Sequence, residues 1–307
     1  MNHIDRRRIE AQARFDRLWK TDPHYFDPQR NVMERERIHR SFDLLKSKVV
    51  LDPCKIADLG CGKGDFAHLL ADQGASVDAV DISGVALKLL KEKGGRTIAT
   101  FQEYLPSTTL QDNAYDAVVC LDLIAFLPED EYRLLFSEMA RLIKNDGHAL
   151  GSSPLDIHSE DALQRYSALV ETEFHVEEWV LSYHRLWIRF KEILDAPAHF
   201  ARAGSDPEYR NRALKERSGF GKSWFRWNSS PLVAKIWGGL AWILSPLTHT
   251  IRNSRAFLLS SEKICKFLWS QEGISHAIFI GKRRPLFIHL PEKEVPKEHK
   301  QKRQVWE

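Results

Sequence analysis

The stretch that decides the fold is Ile56-Ala57-Asp58-Leu59-Gly60-Cys61-Gly62-Lys63-Gly64, a short apolar run that ends in a glycine-rich turn. Gly60 and Gly62 allow a sharp backbone turn and the close approach of a ligand, because neither carries a Cβ. A helix predicted to start near Lys63 offers unpaired N–H groups in its first turn. Strand, glycine turn and helix in this order form the arrangement that holds a nucleotide.

The acidic residues around the turn distinguish between nucleotides. Asp81 ends the next predicted strand, where a carboxylate can accept hydrogen bonds from two ribose hydroxyls. The dinucleotide pattern G-x-G-x-x-G fails because its third glycine position is Asp65, and the phosphate-loop pattern G-x-x-x-x-G-K-[ST] is absent. Asp58 lies two residues before the first glycine, where it would bind a cationic amine and repel a pyrophosphate. The sequence therefore favours a ligand with a ribose, an amino-acid moiety and a positive sulfur over NAD.

Seven segments are predicted to be strands, and helices alternate with the first five. They are residues 55–60, 75–81, 97–101, 115–121, 148–153, 174–183 and 274–281. The alternation predicts an α/β fold, doubly wound, with a mostly parallel seven-stranded sheet and helices on both faces. About ninety residues before the last strand do not fit it, and a structureless loop of that length is unusual in a compact domain. We therefore expect a helical insertion before the last strand.

These patterns divide the chain into five parts: an N-terminal helical cover (1–49), the core (50–186), a helical basic and aromatic insertion (187–273), the last strand of the core (274–290) and a charged tail predicted to be disordered (291–307). Asn31 is the expected N-cap of the second helix. The two N-terminal helices would either cover one edge of the sheet or form a lid over the nucleotide site.

The motifs at these positions resemble those of the class I methyltransferase family. The matching stretches, in the family's order and spacing, are residues 56–64, 80–83, 112–119, 142–148 and 152–154. The resemblance extends over residues 55–154, about a third of the chain. Several motifs in the right order make a specific signal, whereas one G-x-G alone would be weak. The fold expected from the resemblance is the family's seven-stranded Rossmann-like sheet.

The resemblance implies S-adenosyl-L-methionine as the cofactor and nine residues around it. Four of them would line its methionine end: Asp58, Gly60, Cys61 and Gly62. Asp81 would hold the ribose, and Ile82 would pack on the adenine. Glu103, just past the third strand, is the nearest acid to the adenine amine. Leu121 and Asp122, at the end of the fourth strand, would border the methyl group.

No catalytic base follows from the sequence. Asp122, His158 and His184 are candidates, but nothing in the sequence fixes their geometry. Phe126 stands where the family often has a histidine, so that histidine's role has no counterpart here. The [DN]-P-P-[YF] pattern of enzymes that methylate bases and glutamine is absent after the fourth strand. No metal site is expected either, because none of the four cysteines has a C-x-x-C partner or a histidine at zinc-ligand spacing.

Charge is distributed unevenly along the chain. Residues 50–150 carry a net charge of −7 and residues 185–290 one of +11. Within the insertion, residues 209–227 combine six basic side chains with five aromatic ones, and residues 236–251 carry no charge. Gly238, Gly239 and Pro246 are expected to interrupt this apolar stretch, which is also too short to span a bilayer.

Three interpretations of the insertion compete: a helical cap that buries its own apolar faces, a membrane anchor through residues 209–255 that lies in the interface, and an RNA-binding surface. A nucleic-acid surface does not explain the apolar stretch. The sequence thus predicts a methyltransferase with a small, lipophilic, quinone- or lipid-like acceptor, working at a membrane surface. The rival hypotheses are an RNA or protein methyltransferase and a cofactor-binding scaffold without catalysis. The charged first ten residues and the unpaired cysteines predict a cytoplasmic protein, and the oligomeric state stays open.

Overall fold

The computed structural model describes residues 3–94, 98–157, 159, 161–215 and 217–285, and the side chains in these ranges from Arg6 onward. Its seven strands form one sheet: β1 (Lys55–Leu59), β2 (Ser76–Asp81), β3 (Ala99–Gln102), β4 (Tyr115–Leu121), β5 (Ile143–Pro154), β6 (Phe174–Ser182) and β7 (His276–Arg283). The strand order is β3-β2-β1-β4-β5-β7-β6. β7 runs antiparallel to both of its neighbours, and the other neighbouring strands are parallel. The predicted mostly parallel seven-stranded sheet is confirmed.

Helices cover both faces of the sheet and extend from it on one side. Those of the described residues are α1 (His3–Thr21), α2 (Val32–Lys48), α3 (Asp65–Asp72), α4 (Gly84–Glu92), α5 (Tyr132–Leu142), α6 (Ala162–Val170), α7 (Arg185–Ser205), α8 (Pro207–Lys215), α9 (Gly219–Asn228), α10 (Pro231–Asn253) and α11 (Arg255–Trp269). Asn31 caps α2 as predicted, because its side chain accepts a hydrogen bond from the Met33 backbone N–H at 3.0 Å.

The core consists of one apolar layer on each face of the sheet. Successive side chains of a strand point to opposite faces, and β7 shows this directly. Phe279 packs with Tyr115, Phe136 and Phe174 on one face, whereas Ile278 belongs to the cluster on the other face. Both faces are therefore buried, as expected for a sheet with helices on both sides.

The helical layer, defined here as α7–α11, lies between β6 and β7 in the chain. α7 and α10 pack along each other, with Gly204 leaving no room for a Cβ against Ala234. An ion pair joins Arg252, in the last turn of α10, to Asp195 in the middle of α7. Because β6 is parallel to β5, the chain leaves the sheet for this layer at the carboxyl edge of the strands, where ligands of such sheets bind.

Three sequence-based expectations are corrected. α10 continues through Gly238, Gly239 and Pro246, because a proline removes one backbone hydrogen bond without necessarily ending a helix. α3 begins at Asp65 rather than near Lys63, since the glycine turn keeps the backbone out of the helical region up to that point. β5 begins at residue 143, five residues earlier than predicted. The tail 291–307 lies outside the described residues.

Candidate cofactor site

A cavity of about 890 Å³ opens at the carboxyl edge of the sheet, between the ends of β1, β2 and β4 and the helices α1 and α2. All nine residues expected at the cofactor line it: Asp58, Gly60, Cys61, Gly62, Asp81, Ile82, Glu103, Leu121 and Asp122. They come from four different strand ends, which only the parallel sheet brings together. Their individual roles toward the cofactor stay predictions.

The glycine turn follows the expected geometry. Gly60, Gly62 and Gly64 have φ values of +75°, +54° and +77°, a region that side chains with a Cβ rarely adopt. The N–H groups of Gly60 and Cys61 donate to the Val80 carbonyl at 2.8 and 3.0 Å, which ties the turn to β2. A Cβ on Gly62 would lie 3.1 Å from the indole of Trp19. The turn therefore needs glycine for its conformation and for the space beside it.

Asp58 is a buried carboxylate at the floor of the cavity. Its Oδ2 atom has no hydrogen-bond partner among the described residues. Burial and the neighbouring Asp81 raise the pKa of Asp58 to about 7, while Arg37 opposes the rise. An unsatisfied buried acceptor is costly, and a cationic amine would satisfy it. Asp58 thus fits the ammonium group of S-adenosylmethionine.

Asp81 is bound by backbone donors on both oxygens. Oδ2 accepts from the N–H of Gly62 at 2.9 Å, and Oδ1 accepts from the N–H of Ser83 at 2.8 Å. Burial raises the pKa of Asp81 above its ordinary value. A carboxylate has about four acceptor positions, so each oxygen can still accept a hydroxyl. The orientation is fixed before any ligand binds, which suits a diol such as ribose.

Asp122 is held at the end of β4 by three partners. Its Oδ1 accepts from Ser152 Oγ at 2.7 Å and lies 2.7 Å from His276 Nε2, and its Oδ2 is 3.2 Å from Arg37 Nε. Its backbone is left-handed, with φ +59°. Burial alone would raise the pKa of Asp122, but His276 and Arg37 hold it well below its ordinary value. The cavity therefore presents a fixed, ionised carboxylate at this point.

The three candidate bases named from the sequence differ in their position relative to the cavity. Asp122 lines the cavity. His184 does not line it: it is buried, neither ring nitrogen has a hydrogen-bond partner among the described residues, and burial lowers its pKa to about 4. His158 lies outside the described residues. Sequence reasoning missed His276 and Arg37, because they are far from the motifs in the chain and their approach to Asp122 depends on β7 and α2.

Aromatic side chains form the outer wall of the cavity. Phe15 of α1 and Phe26 pack edge-to-face on Phe126, with ring centroids 5.5 and 5.9 Å apart. Trp19 is buried and lies 5.8 Å from Phe26. Side chains of both N-terminal helices line the cavity, and α2 also packs against β5 and β7, so a role of these helices as a lid stays a prediction. Phe15 and Trp19 are four residues apart on α1, and that spacing is the signal in the sequence that could have revealed them.

Comparisons with known proteins give the class of the domain. A family described as "Methyltransferase domain" matches residues 56–147. Together with the strand order and the glycine turn, this match defines a class I S-adenosylmethionine-dependent methyltransferase domain within the chain. S-adenosylmethionine is the cofactor of this class, and the unsatisfied carboxylate of Asp58 and the cradle formed by Gly60 and Gly62 fit it.

Two curated relatives share this part of the chain, and both are described as "Ubiquinone biosynthesis O-methyltransferase". The one from Xylella fastidiosa strain 9a5c is 26% identical over 149 residues, which cover 47% of this chain and 58% of the relative. The one from Pelagibacter ubique strain HTCC1062 is 24% identical over 155 residues, with coverages of 48% and 64%. The chain thus spans less than two thirds of either relative's length.

Among solved structures, the chain is similar to magnesium protoporphyrin IX methyltransferase from Synechocystis PCC 6803 with bound S-adenosylmethionine. The sequence identity is 20% and the TM-score 0.47, over 57% of this chain and 89% of that one.

Proposed function

We propose that this protein transfers a methyl group from S-adenosylmethionine to a small, lipophilic acceptor of quinone- or lipid-like structure. The observation that carries the proposal is the cavity itself, which has an unsatisfied carboxylate, Asp58, at its floor and an aromatic wall around Phe126 at its outer side. A cavity near 900 Å³ is at the upper end of the size of ligand pockets. It suits a cofactor and an acceptor together.

Within this proposal, the residues of the cavity bind and align. S-adenosylmethionine supplies a methyl group on a positively charged sulfur, and methyl transfer is a displacement that depends on alignment of the two reactants. Asp58 would hold the ammonium group and Asp81 the ribose hydroxyls. Asp122 is fixed by its three partners beside Leu121, where the acceptor would approach. The aromatic wall would limit the access of water to this region once the ligands are bound.

The apolar part of the lining supports a lipophilic acceptor, although Arg7, Glu10 and Arg14 line the same cavity. The apolar residues include Phe15, Phe26, Leu123, Ala125, Phe126, Leu127 and Pro128. Apolar and aromatic linings with few polar groups are typical of sites for small organic molecules. The printed names of the two relatives, which concern ubiquinone biosynthesis, support the same class of acceptor. We further propose that the protein meets this acceptor at a membrane surface, through residues 209–255.

The rival hypothesis is a methyltransferase for RNA or protein, which the basic side chains of α8 and α9 would hold. One assay separates these acceptors. The protein is incubated with labelled S-adenosylmethionine and, in separate reactions, a membrane lipid extract, total tRNA and total protein. We expect label in the organic phase of the lipid reaction, and we expect Asp81→Ala to abolish it. Label only in tRNA or protein would overturn the acceptor class, and label in none would favour a scaffold without catalysis.

A further inference from the structure

Helix α10 is apolar on two opposite faces. One face packs on α7 and buries Ala234 and Thr248. The opposite face, the outer stripe, carries side chains at the spacing of a single helix face: Leu232, Ile236, Ile243 and Leu247. They are between 56% and 78% exposed. The outward face of a helix on a globular protein is normally polar, so a partner must cover this stripe.

Helix α9 continues the exposed apolar surface with aromatic side chains. Phe220, Trp224 and Trp227 lie at positions i, i+4 and i+7 and therefore share one face. Phe220 is 84% exposed and Trp227 64%. Phe225, on the other side of the helix, is buried against Phe200. The helix thus has an inner apolar residue that holds it to the protein and an outer aromatic face, of which Trp224 also contacts Phe200, with ring centroids 5.2 Å apart, while Phe220 and Trp227 remain largely exposed.

The charge around this surface has one sign. Residues 217–255 contain six basic residues and no acidic residue. Lys222, Arg226 and Lys235 are exposed and form no ion pair within the described residues. Lys235 stands beside the outer stripe of α10, whereas Lys222 and Arg226 project from other sides of α9 than its aromatic face. The surface therefore combines apolar side chains, tryptophan and positive charge.

We propose that the aromatic face of α9 and the outer stripe of α10 form one docking surface for an anionic lipid bilayer, on which α10 lies flat. Apolar residues enter the acyl boundary, tryptophan prefers the headgroup level, and basic residues pair with lipid phosphates. Among the described residues, no helix has both the length and the apolarity that crossing a membrane would require. RNA would pair with the basic residues but leave the outer stripe in water. A second copy of the chain would bring like charges together.

The docking surface is joined to the cover of the cavity. The Asn253 carbonyl at the end of α10 accepts from Arg35 of α2 at 3.1 Å. Ile251 packs with Val32, Trp187 and Leu258, where α2 begins. The next turn of α2 carries Arg37, which lines the cavity. A bilayer on α10 would therefore lie next to the cover through which a lipophilic acceptor enters. The docking surface specifies the membrane contact named in the proposed function, and this last step also rests on its lipophilic acceptor.

The test is co-sedimentation of the full chain with phosphatidylcholine vesicles, with and without phosphatidylglycerol. We expect binding to the anionic vesicles only, and a loss of about tenfold or more in the double variant Ile236→Ser/Ile243→Ser, which removes apolar area from the inserted face. The matched control is Leu134→Ser, an equally exposed leucine on α5, which should bind as the wild type does. The variants replace exposed residues, so thermal melting should show unchanged folding.

Three outcomes would overturn the docking proposal: no binding to anionic vesicles, equal binding by the double variant and the wild type, or a dimer in sedimentation velocity that the double variant abolishes. Salt-sensitive tRNA binding without vesicle binding would do the same in favour of RNA. Titration with S-adenosylhomocysteine on the same samples keeps the two proposals apart. Loss of vesicle binding with intact cofactor binding contradicts the membrane docking alone, and the converse contradicts only the methyl transfer of the proposed function.

Discussion

The sheet half of the molecule and its helical layer use apolar residues in opposite ways. Around β1 and β4 the apolar side chains point into two closed core layers, and the acidic residues gather at one edge. In the helical layer, α9 and α10 place large apolar side chains outside, and they carry basic residues that form no ion pair within the described part of the chain. The contrast shows that apolar content alone does not indicate where a helix lies. An apolar face that neighbouring elements cover stabilises the fold, whereas an apolar face that they leave exposed is available to a partner.

The two halves are joined by a buried ion-pair network between α2 and α11. Arg40 donates to both carboxylate oxygens of Glu262, at 2.9 and 2.6 Å, and also to Ser182 at 2.9 Å. Glu36 binds Arg40 at 3.2 Å and Arg255 at 2.8 Å. Arg40 follows Arg37 by three positions, so α2 contacts the cavity with one turn and the helical layer with the next.

The largest effect of a substitution on stability is expected at this ion-pair network between α2 and α11. Arg40→Ala leaves the buried Glu262 without its cation, which should lower the free energy of unfolding by ~3 kcal/mol. Urea denaturation measures the change, and Arg189→Ala, an exposed arginine of α7, is the control, with an expected change below ~0.5 kcal/mol. A similarly small change for Arg40→Ala would mean that the two halves are held together by apolar packing alone.

The next effect concerns Asp58, whose replacement should lower cofactor affinity and raise the stability of the folded protein. In Asp58→Asn the affinity for S-adenosylhomocysteine should fall about 10- to 100-fold, because hydrogen bonds to a charged group contribute ~1.5–3 kcal/mol. The same variant should unfold at higher urea concentration at pH 8, because an ionised buried carboxylate is removed. Calorimetry measures the affinity and urea denaturation measures the stability, both on the same sample. A variant that is less stable at pH 8 would show that Asp58 already has a partner in the unliganded protein.

The pH dependence of stability has a definite sign as well. The pKa of Asp58 is raised from 3.8 to about 7 on folding, so this group favours the folded state below its unfolded pKa and loses that contribution as pH rises to 7. The stability advantage of Asp58→Asn should therefore grow between about pH 4 and pH 7.

Cofactor affinity should show the opposite trend, because only the ionised carboxylate pairs with an ammonium group. The affinity of the wild type should fall by up to about tenfold per pH unit below pH 7, whereas that of Asp58→Asn should vary little. Calorimetric titrations with S-adenosylhomocysteine at several pH values measure this dependence for both proteins. Parallel curves for the two proteins would assign the dependence to another group.

The fold and the floor of the site were predictable because their signals are local. The glycine turn, Asp81 and the strand patterns each need only a few neighbouring residues, and Asn31 marks its helix by capping chemistry alone. Arg37 and His276 reach Asp122 from 85 and 154 positions away, a contact that depends on how α2 and β7 pack. The expected interruption of α10 at Pro246 was wrong for a related reason, because the energetic cost of a proline within a helix depends on the residues that surround it.

The most direct test of the central claim is calorimetric titration with S-adenosylhomocysteine at pH 8, of the wild type, of Asp81→Ala and of Asp72→Ala. Asp72 is an exposed carboxylate at the end of α3 and controls for loss of charge. We predict binding by the wild type and by Asp72→Ala, and a loss of about hundredfold or more in Asp81→Ala, which removes two charge-assisted hydrogen bonds. Equal binding by all three proteins, or none by the wild type, would contradict the assignment of this cavity to the cofactor.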